Sequence, residues 1–393
     1  MNKYFEFQNS VKLLCGESAL ERLSNELEHL GSRSPMLLSD AVLAKIGTMQ
    51  MVVDAMAAEG CVPGCTFTDI PVDSSLKVVN DIAALYRSSG CDALVAVGGG
   101  SVIDTAKGVR LVLSQEAEDI LAIGGVENLV RGKYIPFVVV PTTSGTGSEC
   151  TGVAVIRNDA NGVKMEFLSP FVEPDVAVID PRMTLGLPPK ATASTGMDAL
   201  VHAIEACTCQ QANPLSTAYG TAAIRMIAEN VEKATRNGGD KKARFAMALA
   251  STMAGIAFSN SMVGAVHAIG HALGGVCHVP HAVAMTILLP HVMRYNLSHC
   301  AESYAALLPW LVGMDAALKT PAEQRAEASI AFIETLGKRL NTIGGLPLTL
   351  SDAGVQKDAF AKVAEFAVND GALIVNPRAA SEDQVVEILN AAY

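Results

Sequence analysis

The sequence lacks the features that mark nucleic-acid-binding and membrane-spanning proteins. Only 18% of its 393 residues are charged, and 29 lysines and arginines face 40 aspartates and glutamates, a formal net charge of −11. We therefore expect neither nucleic acid nor an anionic membrane as the main partner. No run of about 18 uncharged apolar residues occurs, so a transmembrane helix is not expected. Residues 1–10 carry Lys3 and Glu6, which argues against a secretory signal.

Paired cysteine motifs are missing as well. The nine cysteines are odd in number and never occur as CxxC. Cys61 and Cys65 are separated by three residues, and Cys207 and Cys209 by one. A reducing, cytoplasmic location is the simplest interpretation of this pattern. The alternative is a zinc–thiolate site built from these spacings.

The apolar residues are abundant and regularly arranged. They make up 50% of the chain, enough for a large core and two domains. The first half alternates helical patterns, such as residues 75–87 and 102–113, with short apolar runs that predict strands. These runs are residues 35–39, 93–97, 137–140 and 176–179. Continuous apolar strands alternating with helices predict a parallel sheet that is covered on both faces.

The second half of the chain has a different character. After Pro188 and Pro189 the sequence is rich in Ala, Met and Leu and predicts one helix after another. The candidate helices are residues 194–207, 216–236, 241–258, 263–273 and 326–340. We therefore place a domain boundary near residue 186, between an α/β domain (residues 1–186) and an all-α domain (residues 187–393).

Two loops that follow predicted strands suit a phosphate-bearing ligand. Residues 98–101 read GGGS and lead into a helical stretch that contains Asp104 and Lys107. Glycines allow a close backbone approach, and a helix N-terminus offers free N–H groups. Residues 141–149, PTTSGTGSE, form a second loop rich in hydroxyls and glycines. Ligands of such sheets bind at the carboxyl ends of strands. The alternatives are a tight turn and a solvated loop.

An acidic residue follows the first predicted strand. Asp40 could accept hydrogen bonds from the adenosine ribose and would repel a 2′-phosphate, which favours NAD over NADP. The alternative is that Asp40 caps the helix that begins at Ala41.

Histidines are concentrated in the second half. Five of the eight lie between residues 267 and 291. Asp198 and His202 are four residues apart and share one helix face, as do His267 and His271. The glycines at 274 and 275 are expected to end that second helix, before His278 and His281. One carboxylate and three imidazoles would suit a catalytic divalent metal with open coordination positions. The alternative is a set of buried histidines with ordinary partners.

Taken together, these motifs resemble the iron-containing alcohol dehydrogenase family of the dehydroquinate-synthase-like superfamily. The resemblance covers essentially the whole chain. Its segments are GGGSVIDTAK (98–107), PTTSGTGSE (141–149), IDP (179–181), residues 196–205, GAVHAIGHALGG (264–275) and NPR (376–378). The family implies a Rossmann-like, NAD-binding N-terminal domain and an all-helical, metal-binding catalytic C-terminal domain, with the active site in the cleft between them.

The resemblance also assigns individual residues. The implied metal ligands are Asp198, His202, His267 and His281, and His271 matches a family histidine that lies beside the metal without binding it. The candidate cofactor-binding residues, from the loops and the resemblance together, are Asp40, Gly98, Gly99, Gly100, Ser101, Asp104, Thr142, Thr143, Thr146, Ser148 and Lys164. Asp40 occupies the family position that prefers NAD, and Lys164 matches a lysine near the cofactor ribose.

The predicted function is hydride transfer between a small or primary alcohol or aldehyde and NAD(H), with the substrate oxygen activated by a divalent metal. Iron(II) is favoured and zinc is the alternative, since nitrogen and oxygen donors accept both. His271 would relay a proton to solvent or, alternatively, orient a ligand. Phe258, Met262 and the segment near Ala372 are candidate pocket walls, or otherwise core. The family suggests a homodimer or a larger homo-oligomer.

Two departures and three rivals bear on this prediction. Val72-Asp73 replaces an Asn-Pro pair of many members, and Ala282 replaces a glycine, which affects specificity more than activity.

A lyase of the dehydroquinate-synthase type would need basic residues, yet residues 255–290 contain no Lys or Arg. A zinc-dependent glycerol dehydrogenase with three ligands is distinguished by the third histidine, His281. A structural metal-binding protein is disfavoured by the intact ligand set.

Overall fold

The computed structural model describes residues 4–123, 129–160 and 164–393. The chain divides into two compact units, an α/β unit of residues 9–187 and a helical unit of residues 188–393 joined by residues 4–8. Within the helical unit, Phe7 stacks on Tyr219 with ring centroids 5.8 Å apart. The amide of Gln8 donates to Asn260 Oδ1 at 2.6 Å, and Asn260 Nδ2 donates to the carbonyl of Gln8 at 2.9 Å. These residues therefore pack with the helices and not with the predicted α/β domain.

The α/β unit is built around a parallel sheet. Its strands are β1 (Lys12–Cys15), β2 (Pro35–Leu38), β3 (Cys65–Phe67), β4 (Ala93–Gly98), β5 (Phe137–Pro141), β6 (Val153–Arg157), β7 (Lys164–Leu168) and β8 (Val176–Ile179). Six of them form one sheet in the order β1-β8-β5-β4-β2-β3, while β6 and β7 form a separate antiparallel pair. Every residue of β2, β4, β5 and β8 is buried, as their apolar runs predict.

Five α-helices lie in the described part of this unit. They are α1 (Leu23–His29), α2 (Ala41–Ile46), α3 (Thr48–Ala58), α4 (Leu76–Ser89) and α5 (Gly100–Ser114). The prediction of a parallel, Rossmann-like sheet with helices between its strands is confirmed. Strands β1 and β3 and the β6–β7 pair were not predicted from the sequence, because they are short and only partly apolar.

The strand order creates a switch point between β2 and β4. From β2 the chain proceeds to the edge strand β3, whereas from β4 it proceeds to β5 on the opposite side. The loops after β2 and β4 therefore diverge and leave a crevice at the carboxyl ends of these two strands. Asp40 follows β2 and the glycines at 98–100 follow β4. In open α/β sheets a crevice of this kind is where a nucleotide binds.

The helical unit contains ten helices among the described residues. They are α6 (Pro189–Thr208), α7 (Pro214–Arg236), α8 (Lys241–Ser259), α9 (Ala265–Cys277), α10 (His281–Val312), α11 (Met314–Lys319), α12 (Arg325–Gly344), α13 (Phe360–Val368), α14 (Gly371–Ile374) and α15 (Glu382–Ala391). The predicted all-α C-terminal region is confirmed. Its core includes fully buried residues of α6, α7, α9 and α10. None of the helices in the described ranges is both long and apolar enough to cross a bilayer.

The expected end of α9 was wrong. The helix continues through Gly274 and Gly275 to Cys277. It ends at His278, which adopts the left-handed conformation with φ 56°. Pro280 follows and precedes α10, so that His281 is the first residue of that helix. The connection between α9 and α10 is only three residues long, residues 278–280, and the two helices pack against each other.

Candidate functional site

The helical unit brings one aspartate and three histidines together. We call Asp198, His202, His267 and His281 the histidine–aspartate cluster. Each can offer one donor atom, and these four atoms lie within 4.8 Å of one another. His281 Nε2 is 3.4 Å and His202 Nδ1 is 3.9 Å from Asp198 Oδ1. The ring centroids of His202 and His267 are 4.5 Å apart. The four predicted ligands therefore share one centre.

Three helices supply these side chains. Asp198 and His202 lie one turn apart on α6, His267 lies in the first turn of α9, and His281 starts α10. Gly196 lets α6 approach its neighbours, because a Cβ there would lie 2.7 Å from Val231 Cγ2. The ligand-bearing turn of α6 is thereby seated in the core of the unit.

The inner atoms of the cluster need a partner. Asp198 Oδ1, His202 Nδ1 and His267 Nε2 are buried and make no hydrogen bond within the described chain. Leaving one such group unsatisfied costs about 1–3 kcal/mol. A cation at the common centre would satisfy all three at once. One oxygen and three nitrogen donors are the chemistry that iron(II) or zinc accepts, so the residues fit a divalent metal.

The protonation states support the same interpretation. Burial lowers the pKa of His202 to about 3 and holds the pKa of His267 well below its usual 6.5. Both rings are therefore neutral at pH 7 and present lone pairs. Burial raises the pKa of Asp198, but His202 and His281 outweigh that effect and hold it below its ordinary value. The aspartate is thus ionised, and the cluster carries one negative charge for a cation.

Two carboxylates outside the cluster bond histidines in or beside it, and sequence reasoning missed both. Glu205 Oε2 lies 2.6 Å from His267 Nδ1, and Asp370 Oδ2 lies 2.9 Å from His271 Nδ1. Burial raises the pKa of Glu205 to about 7, although the amides of Gly264 and Val266 oppose the shift. The available signal was the spacing of Glu205, which falls on the same face of α6 as the two ligands.

His271 lies beside the cluster. Its ring centroid is 5.5 Å from that of His281 and 5.8 Å from that of His267. Its side chain is 18% exposed. Among the candidate pocket walls, Phe258 stacks on His202 with ring centroids 4.4 Å apart. An apolar ring therefore covers one ligand, while His271 retains some access to solvent.

In the α/β unit the two predicted loops interlock. The amide of Thr142 donates to the carbonyl of Gly98 at 3.0 Å. A Cβ on Gly99 would lie 3.1 Å from Thr143 Cγ2, and one on Gly100 would lie 2.8 Å from Thr146 Cγ2. Glycine is required here because the two loops pack in direct contact. The structure thus brings residues 98–101 and 142–146 together at the carboxyl edge of β4 and β5.

A buried polar network fixes the second loop to α5. Lys107 Nζ donates to Ser148 Oγ and Thr151 Oγ1, each at 2.9 Å, and to the carbonyl of Val153 at 2.7 Å. Ser148 Oγ donates to Asp104 Oδ1 at 2.7 Å, and Asp104 Oδ2 accepts from the amide of Val155. Burial lowers the pKa of Lys107 to about 8 and raises that of Asp104. Both carboxylate oxygens of Asp104 thus bond to protein groups that hold the loop.

The remaining predicted cofactor residues lie at the same edge. Asp40 caps α2, with Oδ1 accepting from the amides of Val42 and Leu43 at 2.9 Å each. The expected cap is therefore present, and it uses one of the two carboxylate oxygens. Lys164 Nζ pairs with Asp73 Oδ1 at 2.9 Å. The amide of Asp73 in turn donates to Ser101 Oγ at 3.3 Å, which connects Lys164 to the glycine loop.

Comparison with known proteins covers both units. The family model described as iron-containing alcohol dehydrogenase matches residues 10–181, and the model of the C-terminal region of that family matches residues 192–393. The chain is 36% identical over 380 residues to 1,3-propanediol dehydrogenase of Citrobacter freundii, covering 96% of each chain. It is 34% identical over 378 residues to NAD-dependent methanol dehydrogenase of Bacillus methanolicus, again with 96% of each covered. A crystal structure of 1,3-propanediol oxidoreductase superposes with a TM-score of 0.93 at 35% identity, covering 100% of both chains.

Proposed function

Since the chain belongs to the iron-containing alcohol dehydrogenase family, we propose that it moves a hydride between a small primary alcohol or aldehyde and NAD(H), with the substrate oxygen activated by a divalent metal at the histidine–aspartate cluster. Membership confirms the predicted relationship, the predicted fold and the predicted enzyme class, an NAD-dependent alcohol dehydrogenase. It also confirms, for the family, the predicted cofactors NAD and metal. The substrate, the metal in the cell and the residue roles are our proposals.

The observation that carries the proposal is the set of inward-facing donor atoms that lack partners at the cluster. A divalent metal bound there supplies Lewis-acid polarisation of an alcohol or carbonyl oxygen. Iron(II) is our choice because the matching family is described as iron-containing. Zinc remains the alternative, since the same donors accept it.

The chain's own residues position the reactants and carry the proton. His202 and His267 are neutral, so each keeps a lone pair that it can offer to the metal. We propose that His271 relays the hydroxyl proton to solvent. Its ring lies beside His267 and His281, its Nδ1 faces Asp370 at 2.9 Å and its side chain is 18% exposed, so it can pass a proton from the cluster toward solvent. The alternative role, orientation of a neighbouring ligand, would leave the pH profile of turnover independent of His271.

NAD is proposed to bind at the switch point between β2 and β4. The interlocked loops offer backbone amides and hydroxyls to the pyrophosphate. The second carboxylate oxygen of Asp40 would accept a hydrogen bond from the adenosine ribose, and Lys164 would lie near the other ribose. Asp104 and Ser148 would support the loops from inside. On this assignment the α/β unit, residues 9–187, is the NAD-binding domain, and the helical unit, residues 188–393 with residues 4–8, is the metal-binding catalytic domain.

A small, neutral substrate is favoured by the surroundings of the cluster. The two curated relatives act on 1,3-propanediol and methanol, according to their names. Residues 255–290 contain no Lys or Arg, and Phe258 lies against His202. A phosphorylated or otherwise anionic substrate would find no cation on this stretch, which disfavours the dehydroquinate-synthase-type lyase. A glycerol dehydrogenase with three zinc ligands is disfavoured by the fourth donor, His281.

The test combines metal analysis with turnover. Protein purified anaerobically is analysed for iron and zinc and then assayed for NADH formation with methanol, 1,3-propanediol and glycerol, and for NADH consumption with the matching aldehydes. We expect one divalent metal per chain and turnover that is fastest with the unbranched primary alcohols or their aldehydes. Metal-loaded protein that turns over none of these, or that prefers an anionic substrate, would contradict the proposal.

We also propose that the protein acts in the cytoplasm as a homodimer or larger homo-oligomer. The odd number of cysteines without paired spacing supports a reducing compartment. The family resemblance supports the assembly. Light scattering of the purified protein checks the second point, since a monomer at assay concentrations would contradict it.

A further inference from the structure

We propose that Glu205 is a positioning residue of the metal site. Its carboxylate holds His267 in the tautomer whose Nε2 faces the histidine–aspartate cluster, and it also anchors the first turn of α9, on which His267 stands. The inference rests on the proposed metal site. It assigns a role to a side chain that contacts neither the substrate nor the metal.

The placement of Glu205 follows from the spacing on α6. Asp198, His202 and Glu205 are separated by four and three residues, so they occupy one face of the helix. The Glu205 side chain is 7% exposed, and its Oε2 lies 2.6 Å from His267 Nδ1. The opposite nitrogen of the ring, Nε2, is the buried atom without a partner. The two nitrogens of His267 therefore have two distinct roles.

The chemistry of the pair selects the tautomer. A neutral imidazole has one protonated nitrogen and one lone pair, and a carboxylate can only accept. With Glu205 ionised, the proton of His267 must lie on Nδ1, and Nε2 keeps the lone pair that a cation needs. With Glu205 protonated, Nδ1 would accept and Nε2 would carry the proton, which excludes a cation. The 2.6 Å contact at Nδ1 therefore keeps the lone pair of Nε2 directed at the cluster.

The start of α9 holds the Glu205 side chain in place. Glu205 Oε1 accepts from the amide of Val266 at 2.7 Å, at the positive end of the helix dipole. Asn376 Oδ1 accepts from the adjacent amide of Ala265 at 3.1 Å and from Asn296 Nδ2 at 3.0 Å. Both oxygens of Glu205 are thus committed, one to the backbone and the other to His267. The residue couples the position of the helix to the orientation of the ring.

The substitution Glu205→Gln tests this role with nearly unchanged volume. If the amide oxygen stays on Val266, the NH₂ group faces His267 Nδ1 and favours the tautomer that blocks Nε2. If the amide turns over, its NH₂ group opposes the N–H groups of α9 instead. Either orientation leaves one mismatch, so metal should be held less tightly while the fold persists. The expected loss is about 10- to 100-fold in metal affinity, the range for residues that orient a ligand.

The experiment measures zinc release from zinc-loaded protein into excess chelator, with circular dichroism as the check of folding. The matched control is Asp370→Asn, since Asp370 bonds His271 at 2.9 Å in the same way but His271 is not a proposed ligand. We expect release from Glu205→Gln to be about 10- to 100-fold faster than from wild type, and release from Asp370→Asn to remain within about threefold.

Three results would overturn the inference. If Glu205→Gln released zinc at the wild-type rate, the positioning role of Glu205 would be refuted. If Glu205→Gln and Asp370→Asn both released zinc faster by the same factor, the effect would be a general one of losing a carboxylate near the site. Failure of the wild-type protein to take up zinc or anaerobically supplied iron(II) would remove the metal site itself and with it the proposed function. If Glu205→Gln does not fold, ¹⁵N NMR of histidine-labelled, zinc-loaded wild type decides the question. A proton on His267 Nδ1 supports the inference, and one on Nε2 refutes it.

Discussion

Gly264 is a position where a single methyl group should disturb the surroundings of the candidate metal site directly. A Cβ there would lie 2.9 Å from Asn376 Oδ1 and 3.1 Å from Glu205 Oε1. Neither oxygen can retreat without cost, since each accepts a hydrogen bond from the first turn of α9. The backbone of Gly264 has φ −145°, which any residue can adopt. The strain in Gly264→Ala is therefore steric and confined to these two contacts.

The magnitude follows from three contributions. Overpacking a buried site costs about 1–3 kcal/mol, and weakening a buried hydrogen bond to a carboxylate or amide oxygen costs a similar amount. The alanine recovers about 0.4–1 kcal/mol by restricting the unfolded chain. We expect the free energy of unfolding to fall by about 2–4 kcal/mol, and metal release to accelerate because α9 carries His267.

The assay is urea unfolding followed by circular dichroism, together with zinc release. Gly275→Ala is the matched control, because it lies on the same helix, is exposed, and its added Cβ meets no described atom within 4 Å. The control should be neutral or gain up to about 1 kcal/mol, as for glycine replaced within a helix. A Gly264→Ala protein within about 0.5 kcal/mol of wild type would refute the reasoning, since that is the range of an inconsequential surface change.

Three further predictions concern the ligands, the cofactor and the pH dependence of stability. His267→Ala should lose bound metal and turnover while NAD binding, measured by calorimetry, survives; full activity would contradict the assignment. Asp40→Ser keeps a residue that can cap α2 but removes the charge, so the kcat/KM ratio of NADP to NAD should rise by about tenfold or more; an unchanged ratio would contradict the role of Asp40. Burial raises the pKa of Asp92, but bonds from Ser32 and the amides of Arg33 and Ser34 outweigh it and lower that pKa. The ionised carboxylate thus stabilises the fold at pH values above its pKa in the unfolded chain, which is about 3.9. This contribution is lost as the pH falls from that value through the lower pKa of the folded protein. Asp92→Asn should cost about 1 kcal/mol at pH 7 and less at pH 3, and a constant difference in urea unfolding would contradict it.

The fold was predictable where one physical signal was strong. Strands such as β4 and β5 are apolar on both faces and stand between glycines or prolines, which leaves little ambiguity. Helix α10 was missed because Pro290 and Pro309 lie inside it and each normally ends a helix. The apolar burial of this helix against α6, α9 and α12 outweighs two lost backbone hydrogen bonds. Conversely, Gly274 and Gly275 continue α9, since helical packing tolerates a propensity cost of about 1 kcal/mol per glycine.

The candidate site was predictable to the extent that its residues have helical spacing. The pairs 198/202 and 267/271 indicated one face on each of two helices, and the resemblance selected which histidines bind. The carboxylate of Asp370 was not predicted, because a hydrogen bond between distant segments leaves no local pattern. That of Glu205 was overlooked, although its spacing places it on the same face of α6 as Asp198 and His202. The two oxygens of Asp104 bond Ser148 and Val155, and the contact of Asp104 with a cofactor stays a prediction.

The starts of two helices show why similar local sequences serve different purposes. Helix α5 begins after Gly99 and helix α9 after Gly264, and neither has a capping side chain at that glycine. At α9 the first amides are taken by Glu205 and Asn376, so the positive end of its dipole stabilises a buried carboxylate that orients a ligand. At α5 the neighbouring residues are threonines with neutral hydroxyls, and no carboxylate closes the turn among the hydrogen bonds described. On the proposed assignment, the dipole of α5 would instead face the NAD pyrophosphate bound at the switch point of this sheet.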